Sequence, residues 1–138
     1  MRRREFIKAL SALAALPLAL RAEERPAYLK EYFGERKVKP CRRIKLVVPP
    51  VTDSGAQVPV KVEAELPVEQ VKALWLFADQ NPRPFILKST FSPLNGEVYL
   101  YTRVKLAKSG RVRAVLELKD GTLLEKTAFV EVKKGGCG

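Results

Sequence analysis

The sequence predicts an all-β fold, an immunoglobulin-like antiparallel β-sandwich of about seven strands with a flexible C-terminal arm. Three observations carry this. Past residue 41 the apolar residues recur every second position, the period of a half-buried strand. Turn residues punctuate that pattern at roughly regular intervals. The chain then ends in "KKGGCG", which has nothing apolar to bury. A small barrel is the alternative architecture, and no cysteine pair is placed to bridge two sheets as in antibody domains.

A short helix is expected around Ala27 to Phe33, stopped by Gly34. Arg42 to Val48 is the first strand, ended by Pro49-Pro50. In "QVPVKVEAEL", Val58, Val60, Val62, Ala64 and Leu66 share one face and Lys61, Glu63 and Glu65 the other. Pro59 lacks a backbone N–H, which points to an edge or a bulge there. "VKALWLFAD" is apolar on both faces, so it belongs at the centre of a sheet with Trp75 in the core. "NPRP" turns the chain into Phe85 to Phe91, and Pro93 to Gly96 turns it again. "EVYLYTRVKLA" places Val98, Leu100, Thr102, Val104 and Leu106 inward. Tyr99 and Tyr101 fall to the core or to a partner interface. Ser109-Gly110 leads into "RVRAVLEL", with Val112, Ala114, Leu116 and Leu118 inward. Asp120-Gly121 is a hairpin signal before the last strand, Leu123 to Val132.

The first 22 residues read as an address. Arg2 to Arg4 form a charged head, Ala9 to Leu20 an apolar stretch, and Ala22 a small residue for cleavage. Arg3-Arg4 followed by Phe6, Ile7 and Lys8 resembles the twin-arginine export motif, departing at Arg2, where Ser or Thr is usual. Such signals export folded chains, so the expected location is periplasmic. The expected domains are a signal peptide over 1–22, an N-terminal segment with the helix over 23–40, the sandwich over 41–134 and the arm over 135–138.

Composition narrows the chemistry. The net charge is +11, and +7 remains once the leader is set aside. Lys and Arg are spread along the strands with no aromatic-interleaved patch, so no nucleic-acid partner is expected. No apolar run past the leader reaches the roughly 18 residues of a membrane span. The chain has no His and a single Met, which argues against imidazole or thioether metal sites and His-based catalysis. No phosphate loop or paired-carboxylate signature appears, so no cofactor and no catalytic residue is expected.

Two cysteines remain, Cys41 and Cys137. Three readings stand side by side: a Cys41–Cys137 disulfide stapling the tail of an exported structural or binding sandwich, two thiols of no consequence, or a reactive Cys137 on a mobile arm. Gly135, Gly136 and Gly138 remove Cβ bulk from around the sulfur, which suits entry into narrow clefts. From Val132 the sulfur has a reach on the order of 17 Å. Lys133 and Lys134 give electrostatic support to a thiolate and to an anionic sulfur species, or end the strand for solubility. The residues thus suggest a covalent carrier that enzymes act upon.

The terminal "GGCG" closely resembles the Gly-Gly-Cys-Gly-Gly arm of the SoxY family, the sulfur-carrier subunits of thiosulfate-oxidising Sox systems. "DSGAQVPVKVE", "FADQNPRPFI" and "TRVKLAKSGRVRAVLELKDG" are similar to that family's segments and fall in its order. The resemblance implies sulfur attachment at Cys137, with Gly135, Gly136 and Gly138 as the arm. It implies a SoxZ β-sandwich subunit as partner in a heterodimer. It also implies transient encounters with the SoxAX cytochrome, the SoxB hydrolase and, where present, SoxCD. One glycine, not two, follows the cysteine here, and Cys41 is not part of the family pattern.

Overall fold

A computed structural model describes residues 25–134. The twin-arginine motif at Arg3 and Arg4, and the arm residues Gly135, Gly136, Cys137 and Gly138, lie outside the described residues. One helix, α1 (Leu29–Phe33), precedes nine strands: β1 (Val38–Pro40), β2 (Ile44–Val47), β3 (Val51–Ser54), β4 (Val58–Ala64), β5 (Val71–Ala78), β6 (Phe85–Ser89), β7 (Val98–Val104), β8 (Gly110–Leu118) and β9 (Leu123–Lys134). They form two sheets. The larger has the order β1-β9-β8-β5-β6, with β3 also on β9, and the smaller is β2-β4-β7. The sandwich expectation holds, with no closed barrel.

The main core lies between the sheets. Val58, Val60 and Val62 of β4 face Leu74 and Leu76 of β5 and Val112, Ala114 and Leu116 of β8. All eight are fully buried, each worth about 1 to 3 kcal/mol in apolar transfer. The alternation read from the sequence is therefore the alternation of the fold. Pro59 sits on the central strand of the smaller sheet. β2 ends at Val47 opposite Lys61, so at Pro59 only β7 pairs with β4. A missing N–H is tolerated at such a position.

Two expectations need correction. Seven strands become nine because β1 and β3, of three and four residues, are too short to display alternation. Both pair parallel with β9, so the sandwich is not purely antiparallel. The chain runs along β9 as β1, crosses to the smaller sheet as β2, and returns past Pro49-Pro50 to β9 as β3. Strands that switch sheets in this way make the corners of a sandwich.

The second correction concerns Trp75. It is half-buried and lies outside the main core. With side chains alternating, Leu74 and Leu76 point between the sheets, and Trp75 and Phe77 point away. They meet α1 there. Leu29, Phe33, Phe77, Val115 and Leu123 form a second buried cluster, with Tyr28, Val38 and Trp75 packed on it. The Phe33 ring meets Trp75 edge-on, with centroids 5.1 Å apart. A five-residue helix has little stability of its own, so these aromatic contacts hold it.

Charges also lie under the helix. Arg113, 2% exposed, donates from Nε and Nη2 to the two Asp79 oxygens at 3.1 and 2.9 Å, and from Nη1 to Glu125. The Tyr28 hydroxyl donates to Asp79. Burial works against the Arg113 charge, but the two carboxylates outweigh it and hold the guanidinium ionised. Burial and the Asp79 charge push the Tyr28 phenol above its ordinary range. Nearby, Glu117 accepts from Arg36 Nη1 at 2.9 Å and from Trp75 Nε1 at 3.3 Å. Burial alone would raise its carboxyl, yet these bonds hold it below the usual carboxylate range. Every member of this network has a partner, which makes it structural ballast and not an open acid–base site.

Candidate functional site

The candidate site is the end of β9, the last of the described residues before the Gly-Gly-Cys-Gly sequence. Through Val130 the strand is paired with β8, whose first residue, Gly110, lies opposite it. Past that point β8 no longer covers it, and two other segments take over. On one side is β3, with Val51 beside Glu131, Thr52 beside Val132 and Ser54 beside Lys134. The Gly55 N–H donates to Lys134 O at 2.9 Å, the last tie on the strand. On the other side is the β7–β8 connection. The Val132 N–H donates to Ser109 Oγ at 2.8 Å, and the Ser109 hydroxyl donates back to Val132 O at 3.3 Å.

These flanking segments are themselves fixed. The Leu106 N–H donates to Gly55 O at 2.8 Å, joining the two sides. Asn81 holds the connection with both ends of its side-chain amide: Nδ2 donates to Lys105 O at 2.7 Å, and Oδ1 accepts from the Ala107 N–H at 2.8 Å. Gly110 is where β8 meets the turn before β6. A Cβ there would lie 2.3 Å from Gln80 Cγ, so only glycine allows this approach. Asn81, Ser109, Gly55 and Gly110 were not singled out by sequence reasoning as positioning residues. The signal that was available was the Asn-Pro turn and the Ser-Gly pair, both read only as turns.

The tie at Lys134 alters the arm's length. The strand was expected to end at Val132, giving the sulfur a reach on the order of 17 Å. It runs to Lys134, three residues before Cys137, so the cysteine Cα stays within about 11 Å of the Lys134 Cα by chain length alone. Lys133 and Lys134 are exposed, and among the described residues neither has a carboxylate within ion-pair distance.

Cys41 lies at the opposite end of β9. Its N–H donates to Glu125 O at 2.9 Å, and its side chain is half-buried against the main core. Because Pro40 pairs with Glu125, Cys41 stands beside Lys126, eight residues before Lys134. That is about 27 Å of strand. The roughly 11 Å of chain past Lys134 and the at most ~7 Å between disulfide-linked Cα atoms do not span it. A Cys41–Cys137 bond within one chain would require about the last two residues of β9, Lys133 and Lys134, to detach and the Gly55–Lys134 bond to break.

Among the described residues no group of three or more His, Cys, Asp or Glu side chains converges to hold a metal. The carboxylates that do converge, Asp79 and Glu125, are neutralised by Arg113 beneath the helix.

Comparison with known proteins agrees with this geometry. Among solved structures, the sulfur carrier protein SoxY from Chlorobium limicola f thiosulfatophilum superposes with a TM-score of 0.66 at 22% identity, covering 76% of this chain and 92% of that one. A superoxide reductase (neelaredoxin) from Ignicoccus hospitalis gives 0.58 at 18% identity, covering 69% and 94%. A putative superoxide reductase from Thermotoga maritima gives 0.54 at 16%, covering 75% and 91%. At these identities the likeness is one of fold. No curated protein matches the sequence. The family model "SoxY: Sulfur oxidation protein SoxY" matches residues 29–137, from the first residue of α1 to the terminal cysteine. With that match over most of its length, the chain belongs to the SoxY family of sulfur oxidation proteins.

Proposed function

We propose that this chain is a non-catalytic sulfur carrier, holding thiosulfate-derived sulfur covalently on Cys137 and presenting it to partner enzymes. The observation that carries the reading is that the family match runs through residue 137 itself, beyond a strand tied down to Lys134. The strand is paired and hydrogen-bonded up to that point, and the cysteine stands three residues past it in the sequence.

The chemistry on Cys137 then balances in two steps. The thiol and thiosulfate join through a new S–S bond, giving a cysteine S-thiosulfonate. The thiol proton goes to solvent and two electrons go to an acceptor, the role of a SoxAX-type cytochrome. Water then attacks the terminal sulfonate sulfur. Sulfate and two protons leave, and a persulfide anion stays on Cys137, the work of a SoxB-type hydrolase. A SoxCD-type enzyme would oxidise the remaining sulfur. A SoxZ-like subunit completes the heterodimer. The outer face of the smaller sheet suits it, since Val47, Tyr99 and Tyr101 are 52, 45 and 53% exposed there. Export by the twin-arginine route at Arg3 and Arg4 places these steps in the periplasm.

The rival, a sandwich with its tail stapled by Cys41–Cys137, is disfavoured because it would undo the pairing of Lys134 with β3 and its bond to Gly55. Replacing the chromosomal copy with Cys137→Ser in a thiosulfate-oxidising host should abolish thiosulfate oxidation, while Cys41→Ser should leave it intact. Oxidation at the normal rate in the Cys137→Ser strain would overturn the proposal.

A further inference from the structure

The cations at the arm's base come from two separate parts of the sequence. Lys133 and Lys134 close β9. Lys105 and Lys108 lie in the β7–β8 connection, and all four are exposed. The connection is held against the strand. Leu106, next to Lys105, bonds Gly55, which bonds Lys134; Ser109, next to Lys108, bonds Val132 in both directions. Asn81 fixes the backbone at Lys105 and Ala107 from a third segment. The fold thus brings together two lysine pairs that lie more than twenty residues apart. None of the four has a carboxylate within ion-pair distance among the described residues. Asp53 of β3 and Glu131 of β9 are the acidic groups on the same strand ends, so the positive charge prevails.

We propose that Lys105 and Lys108 complete, with Lys133 and Lys134, a cationic collar around the root of the arm that draws anionic sulfur compounds to Cys137. This rests on the reading of Cys137 as the sulfur-bearing residue. Its physical basis is the bound on distance: Cys137 stays within about 11 Å of Lys134 whatever path the chain takes. That is close to the roughly 10 Å screening length at 0.1 M salt. Thiosulfate and related polythionates are dianions, and a monoanion remains on the conjugate. The collar acts on each approach of such an anion, not on a neutral reagent.

The test uses the full mature chain, reduced, carrying Cys41→Ser so that Cys137 is the reporting thiol. Its second-order rate is measured with tetrathionate, a dianion, and with dithiodipyridine, a neutral disulfide. With tetrathionate the thiolate attacks one of the two central sulfurs. The bond between them breaks, thiosulfate leaves with the electron pair, and a cysteine S-thiosulfonate forms. The double variant Lys105→Ala with Lys108→Ala should lower the tetrathionate rate about three- to tenfold at ~0.02 M ionic strength. The difference should fall below about twofold at ~0.5 M. The dithiodipyridine rate should not change, and Lys105→Arg with Lys108→Arg should keep the original tetrathionate rate. An unchanged tetrathionate rate in the alanine variant, an equal fall with both reagents, or an equal fall in the arginine variant would each overturn the collar. These rates need no partner protein, so their failure leaves the role of Cys137 standing. A Cys137→Ser strain that still oxidises thiosulfate removes that role and leaves the rates as measured.

Discussion

The two ends of β9 face the same kind of neighbour and do opposite work. At the start, β1 runs parallel on the strand's free edge; at the end, β3 does. At the start, Glu125 turns beneath the helix and meets Arg113, and both are buried. At the end, Lys133 and Lys134 stand in solvent and the ties are backbone bonds and one serine hydroxyl. One strand is thus an anchor at one end and a mast at the other. The lesson is that one strand can be fixed by buried, charged side chains at one end and by backbone bonds and a single hydroxyl at the other.

The comparison can be broken at its anchored end first. Arg113→Ala leaves Asp79 and Glu125 buried without their cation. It should lower unfolding stability by about 3 to 5 kcal/mol, read from urea denaturation. Cys137 reactivity in the molecules that remain folded should not change. A loss under about 1 kcal/mol would mean the buried ions do not secure the anchor.

The junction between the halves comes next. Gly110→Ala drives a methyl into Gln80, where Cγ would lie 2.3 Å away, and should destabilise by about 1 to 3 kcal/mol. No loss would show that Gln80 moves aside freely. At the mast end, Ser109→Ala removes the partner of the Val132 N–H. About 0.5 to 1.5 kcal/mol of stability should go with it, and the Val132 amide should exchange faster, with the Glu125 amide unaffected. Equal acceleration at both amides would erase the distinction between the two halves.

The smallest effect concerns pH. Glu117 has its folded pKa depressed, so it contributes stability above the ordinary Glu value near 4.3 and loses it as pH falls through the lower folded value. Arg36→Ala should remove much of that contribution at pH 7, and the difference from the unaltered chain should shrink in strong acid to what the Arg36 Nη2–Gly121 O bond supplies. A gap that does not shrink in strong acid would take the Arg36 effect away from Glu117.

The sequence made the sandwich and the arm legible for different reasons. Val58, Val60 and Val62, and Val112, Ala114 and Leu116, declare the core because period two is visible over seven or more residues. Val51 to Ser54 could not declare itself. Three residues between Pro-Pro and Ser-Gly are too few to show alternation, and only tertiary pairing with Glu131 to Lys134 makes Val51 to Ser54 a strand. For that reason the strand end was placed at Val132 and not at Lys134. Trp75 was assigned to the core because hydrophobic size does not reveal which face a residue takes. Arg113 gave no sign of burial, since its partners Asp79 and Glu125 are distant in sequence. The terminal Gly-Gly-Cys-Gly needed no fold to be noticed, but its lysine surroundings did. Lys105 and Lys108 come beside the end of β9 only because Asn81 and Ser109 hold their loop there.

The most direct test of the central claim is the mass of the C-terminal peptide in protein isolated, without reductant, from cells oxidising thiosulfate. A sulfur carrier predicts that peptide with added sulfur or thiosulfonate on Cys137, lost on reduction, while the Cys41 peptide stays unmodified. An unmodified Cys137 throughout active oxidation, or Cys137 found wholly in a bond to Cys41, would contradict it.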